Sequence, residues 1–311
     1  MSQRQESVAG GRFAFAGLAV ILLAGAGALV LQARPQVQPQ TQPQARTLPQ
    51  TQAAPGDEQI WTDFLAWVKA APGNPGEARE SYAAELGRRG VAGDEIKRRF
   101  GVITRLMSTR TEMTELFYDK TYSRTRTPTG KPEEDGFASV PSEFLIGAVK
   151  GLKPGRALDV GMGQGRNAVE LARRGWTVTG FDISGEAVAA AARNAQAAGV
   201  KITPVKADYA SFDFGKDAWD LVVMTFAWAP VEEPAFVARI EASLRTGGLV
   251  LFEHFVDTSE RPYAPMVRAL RPGALRERFA GVEILSYEET TGTGDWGGPD
   301  SRLVRMVARK R

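Results

Sequence analysis

The chain has 311 residues with 39 Lys and Arg against 36 Asp and Glu; residues 1–56 hold four of the basic side chains (Arg4, Arg12, Arg34, Arg46) and one acidic one (Glu6), so the formal +3 resides there and 57–311 balances at 35 of each sign. The absence of cysteine excludes disulfides, thiolate metal sites and cysteine nucleophiles, and a single histidine, His254, leaves no set of imidazole ligands, so no metal centre is expected. A neutral body also lacks the electrostatic footprint of nucleic-acid binding, and no nucleic-acid partner is expected.

Residues 1–12 are a short tail. Residues 13–31 follow with nineteen residues free of charge or strong polarity. At the rise of an α-helix they reach about 28 Å, close to the ~30 Å hydrocarbon thickness of a bilayer. The segment is expected to be a single-pass transmembrane anchor. A cleaved signal peptide is the alternative, because Arg4 and Arg12 make a positive n-region, although the run is long for one and Leu31-Gln32-Ala33 is a poor cleavage site. The positive-inside count ties, since Arg34 and Arg46 lie on the other flank. Residues 32–56 hold eight Gln and five Pro, the composition of an extended spacer.

Residues 57–117 read as a helical region. Ile60, Trp61, Phe64, Leu65 and Val68 share one face of a first helix, which ends at Pro72-Gly73-Asn74-Pro75-Gly76. A second helix is predicted over about 77–89 and a third over about 94–117. Between Lys97 and Lys131 nine basic residues face three acidic ones, a solvated surface or an anion patch.

Residues 118–311 are expected to form the main domain, in which the chain alternates strands with helices from Gly155 onward. Strand-like runs are 157–160, 177–181, 202–207, 220–225, 249–255, 282–287 and 303–308. Ser184 reads as an N-cap and Gly199 as the stop of the helix between them. The alternation predicts an α/β fold, a doubly wound seven-stranded sheet with helices on both faces. The last two strands are joined by a glycine-rich connection and are expected to pair antiparallel.

The informative stretch is RALDVGMGQGRNAVELARRGWTVTGFDIS (156–184). A buried strand ends at Asp159-Val160, enters Gly161-Met162-Gly163-Gln164-Gly165, and a helix begins near Arg166. Glycines there let the backbone turn and approach a ligand. Asp182 ends the next strand 21 residues past Gly161, where a carboxylate can accept from ribose hydroxyls. A dinucleotide fingerprint would place its third glycine at position 166, which is Arg. G-x-G-x-G preceded by an acid instead resembles motif I of the class I S-adenosylmethionine-dependent methyltransferases. Ala207-Asp208-Tyr209, Trp219–Phe226 and Leu244-Arg245-Thr246-Gly247-Gly248-Leu249 lie where that family has its next motifs, the last with Thr246 in place of the usual proline. The small-molecule branch that includes tellurite-resistance-type enzymes is most similar.

The resemblance implies S-adenosylmethionine as cofactor. Gly161, Gly163 and Gly165 would pass its carboxypropyl arm, Asp159 would orient its ammonium, Asp182 would bind ribose, and Asp208 the adenine amine between Ile183 and Tyr209. Thr225 would line the methionine portion. Tyr118, Tyr122 and Trp228 are candidate walls near the sulfonium, each also a plausible packing residue. His254, at the end of the fifth strand, has a pKa suited to general-base work and equally suits a structural role. No cysteine nucleophile and no Asn/Asp-Pro-Pro-aromatic loop are present, so a small-molecule acceptor is favoured. The alternatives are a catalytically silent scaffold and an NAD(P)-binding oxidoreductase. Because S-adenosylmethionine is made in the cytosol, the chain is expected to be membrane-anchored with its body facing the cytosol.

Overall fold

A computed structural model describes residues 55–71, 78–124, 137–257, 270–295 and 300–311. The tail, the apolar segment 13–31 and most of the spacer lie outside the described residues. Among the described residues no helix is long and apolar enough to cross a membrane. In chain order the elements are α1 (Asp57–Ala70), α2 (Ala78–Arg88), α3 (Gly93–Met107), α4 (Glu112–Arg124), α5 (Glu143–Ala148), β1 (Arg156–Val160), α6 (Arg166–Arg173), β2 (Thr177–Asp182) and α7 (Gly185–Ala197). They continue with β3 (Thr203–Lys206), β4 (Trp219–Thr225), α8 (Pro234–Ser243), β5 (Leu244–Phe255), α9 (Ala274–Arg278), β6 (Glu283–Gly292) and β7 (Ser301–Arg309).

The seven strands form one sheet in the order β3-β2-β1-β4-β5-β7-β6. Strands β1 to β5 pair in parallel, whereas β7 runs antiparallel to both β5 and β6. The sheet is thus mostly parallel with an antiparallel insertion, as the alternation predicts. The strand order reverses between β1 and β4, which opens a crevice at their C-terminal ends. Each face is covered by an apolar core. Leu158, Phe181, Val222 and Phe252 pack with Phe236 and Ile240 of α8 on one side, and Ala157, Val178 and Leu251 pack with Leu171 of α6 and Leu145 of α5 on the other.

The helical region has its own core of Ile60, Trp61, Phe64, Tyr82, Leu86, Ile103 and Leu106. Residues 54–311 nevertheless form one compact unit, and α4 runs across the predicted boundary at 117/118. The predicted third helix is two helices. At the break the Ser108 hydroxyl donates to the Arg105 carbonyl at 2.7 Å and the Thr109 hydroxyl to that of Leu106. Such bonds compete with the helical ladder. The basic stretch is largely neutralised at the surface: Arg98 and Arg99 pair with Glu95, Arg105 with Asp57, and Arg110 with Glu58.

Strand β5 starts five residues earlier than its apolar run, because Leu244 pairs with Trp219 before the register shifts. Gly247 and Gly248 then exchange backbone bonds with Lys310. Leu158 is fully buried at the centre of the sheet. Leu158→Ala is expected to cost about 2–5 kcal/mol in chemical denaturation; a loss below 1 kcal/mol would show that this core does not hold the sheet.

Candidate functional site

Strand β1 delivers Asp159 to the crevice and the chain turns through Gly161, Gly163 and Gly165, with φ of 63°, 55° and 78°. These left-handed conformations select glycine. Space selects it again. A Cβ on Gly161 would meet the Ala227 Cβ at 3.0 Å and the Tyr209 hydroxyl at 3.1 Å, and one on Gly163 would collide with the Tyr122 hydroxyl. On Gly165 the obstacle is Ala191 of α7 at 2.8 Å. Gly161 and Gly163 therefore border a cavity of about 720 Å³, whereas Gly165 is outside its lining and serves helix packing. The cavity has the volume of a small-molecule or cofactor pocket.

Asp159, Asp182, Ile183, Asp208, Tyr209 and Thr225 all line it. Asp159 is 2% exposed, and its Oδ2 has no hydrogen-bond partner. Burial pushes its pKa up to about 7, against the pull of Arg166 and of the Ala168 backbone. Asp182 accepts from the backbone N–H of Gly163 through Oδ2 and of Ser184 through Oδ1, both at 2.9 Å. Burial outweighs those bonds and sets its pKa at about 6, with the charge of Asp119 adding to the rise. Asp208 is half-buried and builds its own loop: Oδ1 accepts from the N–H groups of Ala210 and Ser211 and from the Ser211 hydroxyl at 2.6 Å. Those bonds hold its pKa below the usual carboxylate value. The Tyr209 hydroxyl donates to the Ala227 carbonyl, and its ring stands edge-on to Phe181 and Phe236.

Thr225 introduces residues that no sequence motif marks. Its Oγ1 accepts from Asn167 Nδ2 at 2.5 Å, and Asn167 Oδ1 accepts from the Ser142 backbone at 2.9 Å. The Ser142 hydroxyl donates to Glu253 Oε2 at 2.6 Å, and Arg305 Nε donates to Glu253 Oε1 at 2.8 Å. Glu253 thus anchors a buried network. Only the position of Asn167, in the first turn after the glycine loop, hinted at it.

A roof lies over the glycine loop. Tyr122 stacks on Phe137 at 5.1 Å, Tyr118 approaches the same ring at 6.1 Å, and all three line the cavity. Burial and the charges of Asp182 and Asp295 push both tyrosine hydroxyls well above their ordinary pKa. The segment after Phe137 is tied down by Gln164 on the Ala138 carbonyl and Arg166 on the Val140 carbonyl. Arg166 also pairs with Asp295 at 2.6 Å, between side chains that are both largely buried.

Beyond β4, Phe226 and Trp228 both adopt φ of 53°, a left-handed conformation uncommon for aromatic residues, and both line the cavity. His254 does not line it among the described residues. It is 3% exposed and packs edge-on behind Trp228, ring centroids 4.5 Å apart. Strand β5 carries it to the expected edge, but the aromatic segment after β4 covers it.

Residues 157–248 match the family model described as a methyltransferase domain. The chain is 31% identical over 176 residues to Hemagglutinin 1 of Eikenella corrodens, covering 52% of this chain and 57% of that protein. It is 24% identical over 176 residues to the probable S-adenosyl-L-methionine-dependent methyltransferase TehB of Haemophilus influenzae, covering 54% and 61%. The match thus spans less than two thirds of either relative. The crystal structure of TehB from H. influenzae superposes with a TM-score of 0.49 at 21% identity, over 63% of this chain and 68% of that one.

The two raised carboxyls set a pH dependence. Each releases its proton near 3.8 when unfolded but near 7 (Asp159) or 6 (Asp182) when folded. Between those values the folded state holds more protons, so stability falls as pH rises from about 4 to 7. Asp159→Asn is expected to raise the melting temperature at pH 8 by at least a few degrees and to leave it little changed near pH 4. An equal shift at both pH values would count against a buried charge there.

Proposed function

We propose that this chain, whose residues 157–248 match a methyltransferase domain and which has TehB-type relatives, is a class I S-adenosylmethionine-dependent methyltransferase that transfers a methyl group from that cofactor to a small-molecule acceptor. The observation that carries the reading is the unpartnered Oδ2 of buried Asp159, a lining residue of the cavity. A buried carboxylate oxygen without a donor is costly, and an ammonium group supplies the missing partner. Gly161 and Gly163, which carry no side chain, line the same cavity, so a ligand chain can pass close to the backbone there. The residues fit the cofactor on both counts.

S-adenosylmethionine supplies a methyl group on a sulfonium, which an acceptor displaces in line as the C–S bond breaks and its electron pair stays on sulfur. The protein's part is binding, alignment and exclusion of water. Asp159 holds the ammonium and Asp182 the ribose hydroxyls, through lone pairs its backbone bonds leave open. Asp208 keeps Oδ2 for the adenine amine, with Ile183 and Tyr209 against the ring. Thr225, oriented by Asn167, borders the methionine portion. Tyr118, Tyr122 and Trp228 offer aromatic faces to the sulfonium. His254 acts as a positioning residue: it supports Trp228 and touches neither cofactor nor acceptor. The apolar segment 13–31 would tether this body to a membrane, facing the cytosol where the cofactor is made. A reporter fused after Arg311 that proved active only outside the cytosol would overturn that topology.

Calorimetric titration of the full chain tests the cofactor. S-adenosylmethionine is expected to bind and NADH not, and Asp182→Ala is expected to weaken binding by about 1–3 kcal/mol through lost charged hydrogen bonds. NADH binding without response to S-adenosylmethionine would support an oxidoreductase instead; no response to either would support a silent scaffold. Metabolite profiling with methyl-labelled cofactor then identifies the acceptor. His254→Ala is expected to retain transfer with an unshifted pH profile, and loss of one limb of that profile would restore it as a base.

A further inference from the structure

We propose that Asp119 is a positioning residue that latches α4 over the cofactor cradle by bonding to the same serine that holds the ribose acid. The inference rests on the cofactor reading above and concerns a helix outside the matched methyltransferase domain. Helix α4 contributes Phe117, Tyr118 and Tyr122 to the cavity lining, and the Tyr122 hydroxyl lies against Gly163 in the space a side chain would need. Any ligand entering between the glycine loop and the roof must pass this helix.

Met113 and Leu116 pack α4 into the core of the helical region and Lys120 donates to the Ala71 carbonyl, but the ties from α4 to the sheet edge are polar. Asp119 Oδ1 accepts from the Ser184 hydroxyl at 2.6 Å and from the Glu186 backbone N–H at 3.2 Å. Ser184 is fully buried, its own N–H donates to Asp182 Oδ1 at 2.9 Å, and its hydroxyl oxygen also accepts from Ala187 N–H at the start of α7. One residue therefore connects the roof and the N-cap of α7 through its hydroxyl and the ribose carboxylate through its backbone N–H. A second tie joins Glu115, one turn earlier on α4, to Lys206 at the end of β3, at 2.6 Å. Both ties run from α4 to the edge where β2 and β3 end.

Opening the cavity requires these bonds to break, so the latch sets how fast cofactor enters and leaves. It also holds the tyrosines in place once the cavity closes. A charged hydrogen bond of this kind is worth enough to change rates by about tenfold. A residue that merely stabilised the fold would, when removed, slow binding or diminish the competent fraction. Removing a latch accelerates association.

The test is stopped-flow tryptophan fluorescence of the full chain mixed with S-adenosylhomocysteine. Asp119→Ala is expected to raise both the association and dissociation rate constants by about tenfold, and Asp119→Asn, which keeps an acceptor oxygen toward Ser184, to recover most of the wild-type rates. Glu115→Gln breaks only a partly exposed pair and is expected to shift both constants the same way, by about twofold; it decides the matter if Asp119→Ala does not fold. Wild-type binding with association rates unchanged or slower in the variants overturns the latch and leaves the cofactor reading standing. Wild-type protein that does not bind S-adenosylhomocysteine overturns both.

Discussion

Two carboxylates at neighbouring strand ends set the terms for the rest of this structure. The parallel register of β1 and β2 puts Asp159 opposite Gly180 and carries Asp182 just past Val160, so both acids reach the same C-terminal edge. Burying them there is unfavourable, and the fold offsets only part of the cost. Asp182 receives two backbone N–H groups, while one oxygen of Asp159 receives nothing. An apolar core would not tolerate such an arrangement without a return. In the proposed reading a cationic group with hydroxyls beside it makes up that deficit, because affinity comes from interactions the protein alone cannot satisfy.

The surroundings keep that edge dry and shaped. The glycine loop presses the backbone close to the cavity, and Tyr118, Tyr122 and Phe137 close over it. This roof comes from outside the sheet, and polar ties hold it: Gln164 and Arg166 grip residues 138–140, Asn167 grips Ser142, and Asp119 grips Ser184. Low dielectric beneath the roof raises the carboxyl pKa values and equally strengthens their attraction to a bound cation.

The segment after β4 forms the other wall under backbone strain. Left-handed φ at Phe226 and Trp228 costs of order 1–3 kcal/mol each, and burial of Phe226 against Phe255 and Leu303 offsets it. Trp228 is thereby turned toward the cavity, with His254 behind it.

Strand alternation, the glycine loop and the acids Asp159, Asp182 and Asp208 were legible in the chain, because a period of two, a positive φ and a strand-end carboxylate each leave a local mark. Less local features were not. The break between α3 and α4 depends on Ser108 and Thr109 bonding back onto the helix, a choice the same residues need not make elsewhere. Gly165 carries the same motif signature as Gly161 and Gly163, yet it faces Ala191 rather than the cavity. His254 lies at the strand end its position implies, but the aromatic segment after β4 covers it. The sequence by itself determined the sheet, its glycine-loop edge and most of the carboxylates on it. Only the tertiary structure decided which of those groups meet solvent, which meet each other, and that α4 with Asp119 covers them. Burial and hydrogen bonding between residues 25 to 111 positions apart, such as Ser142 with Asn167 and Glu253, have no signature in local spacing.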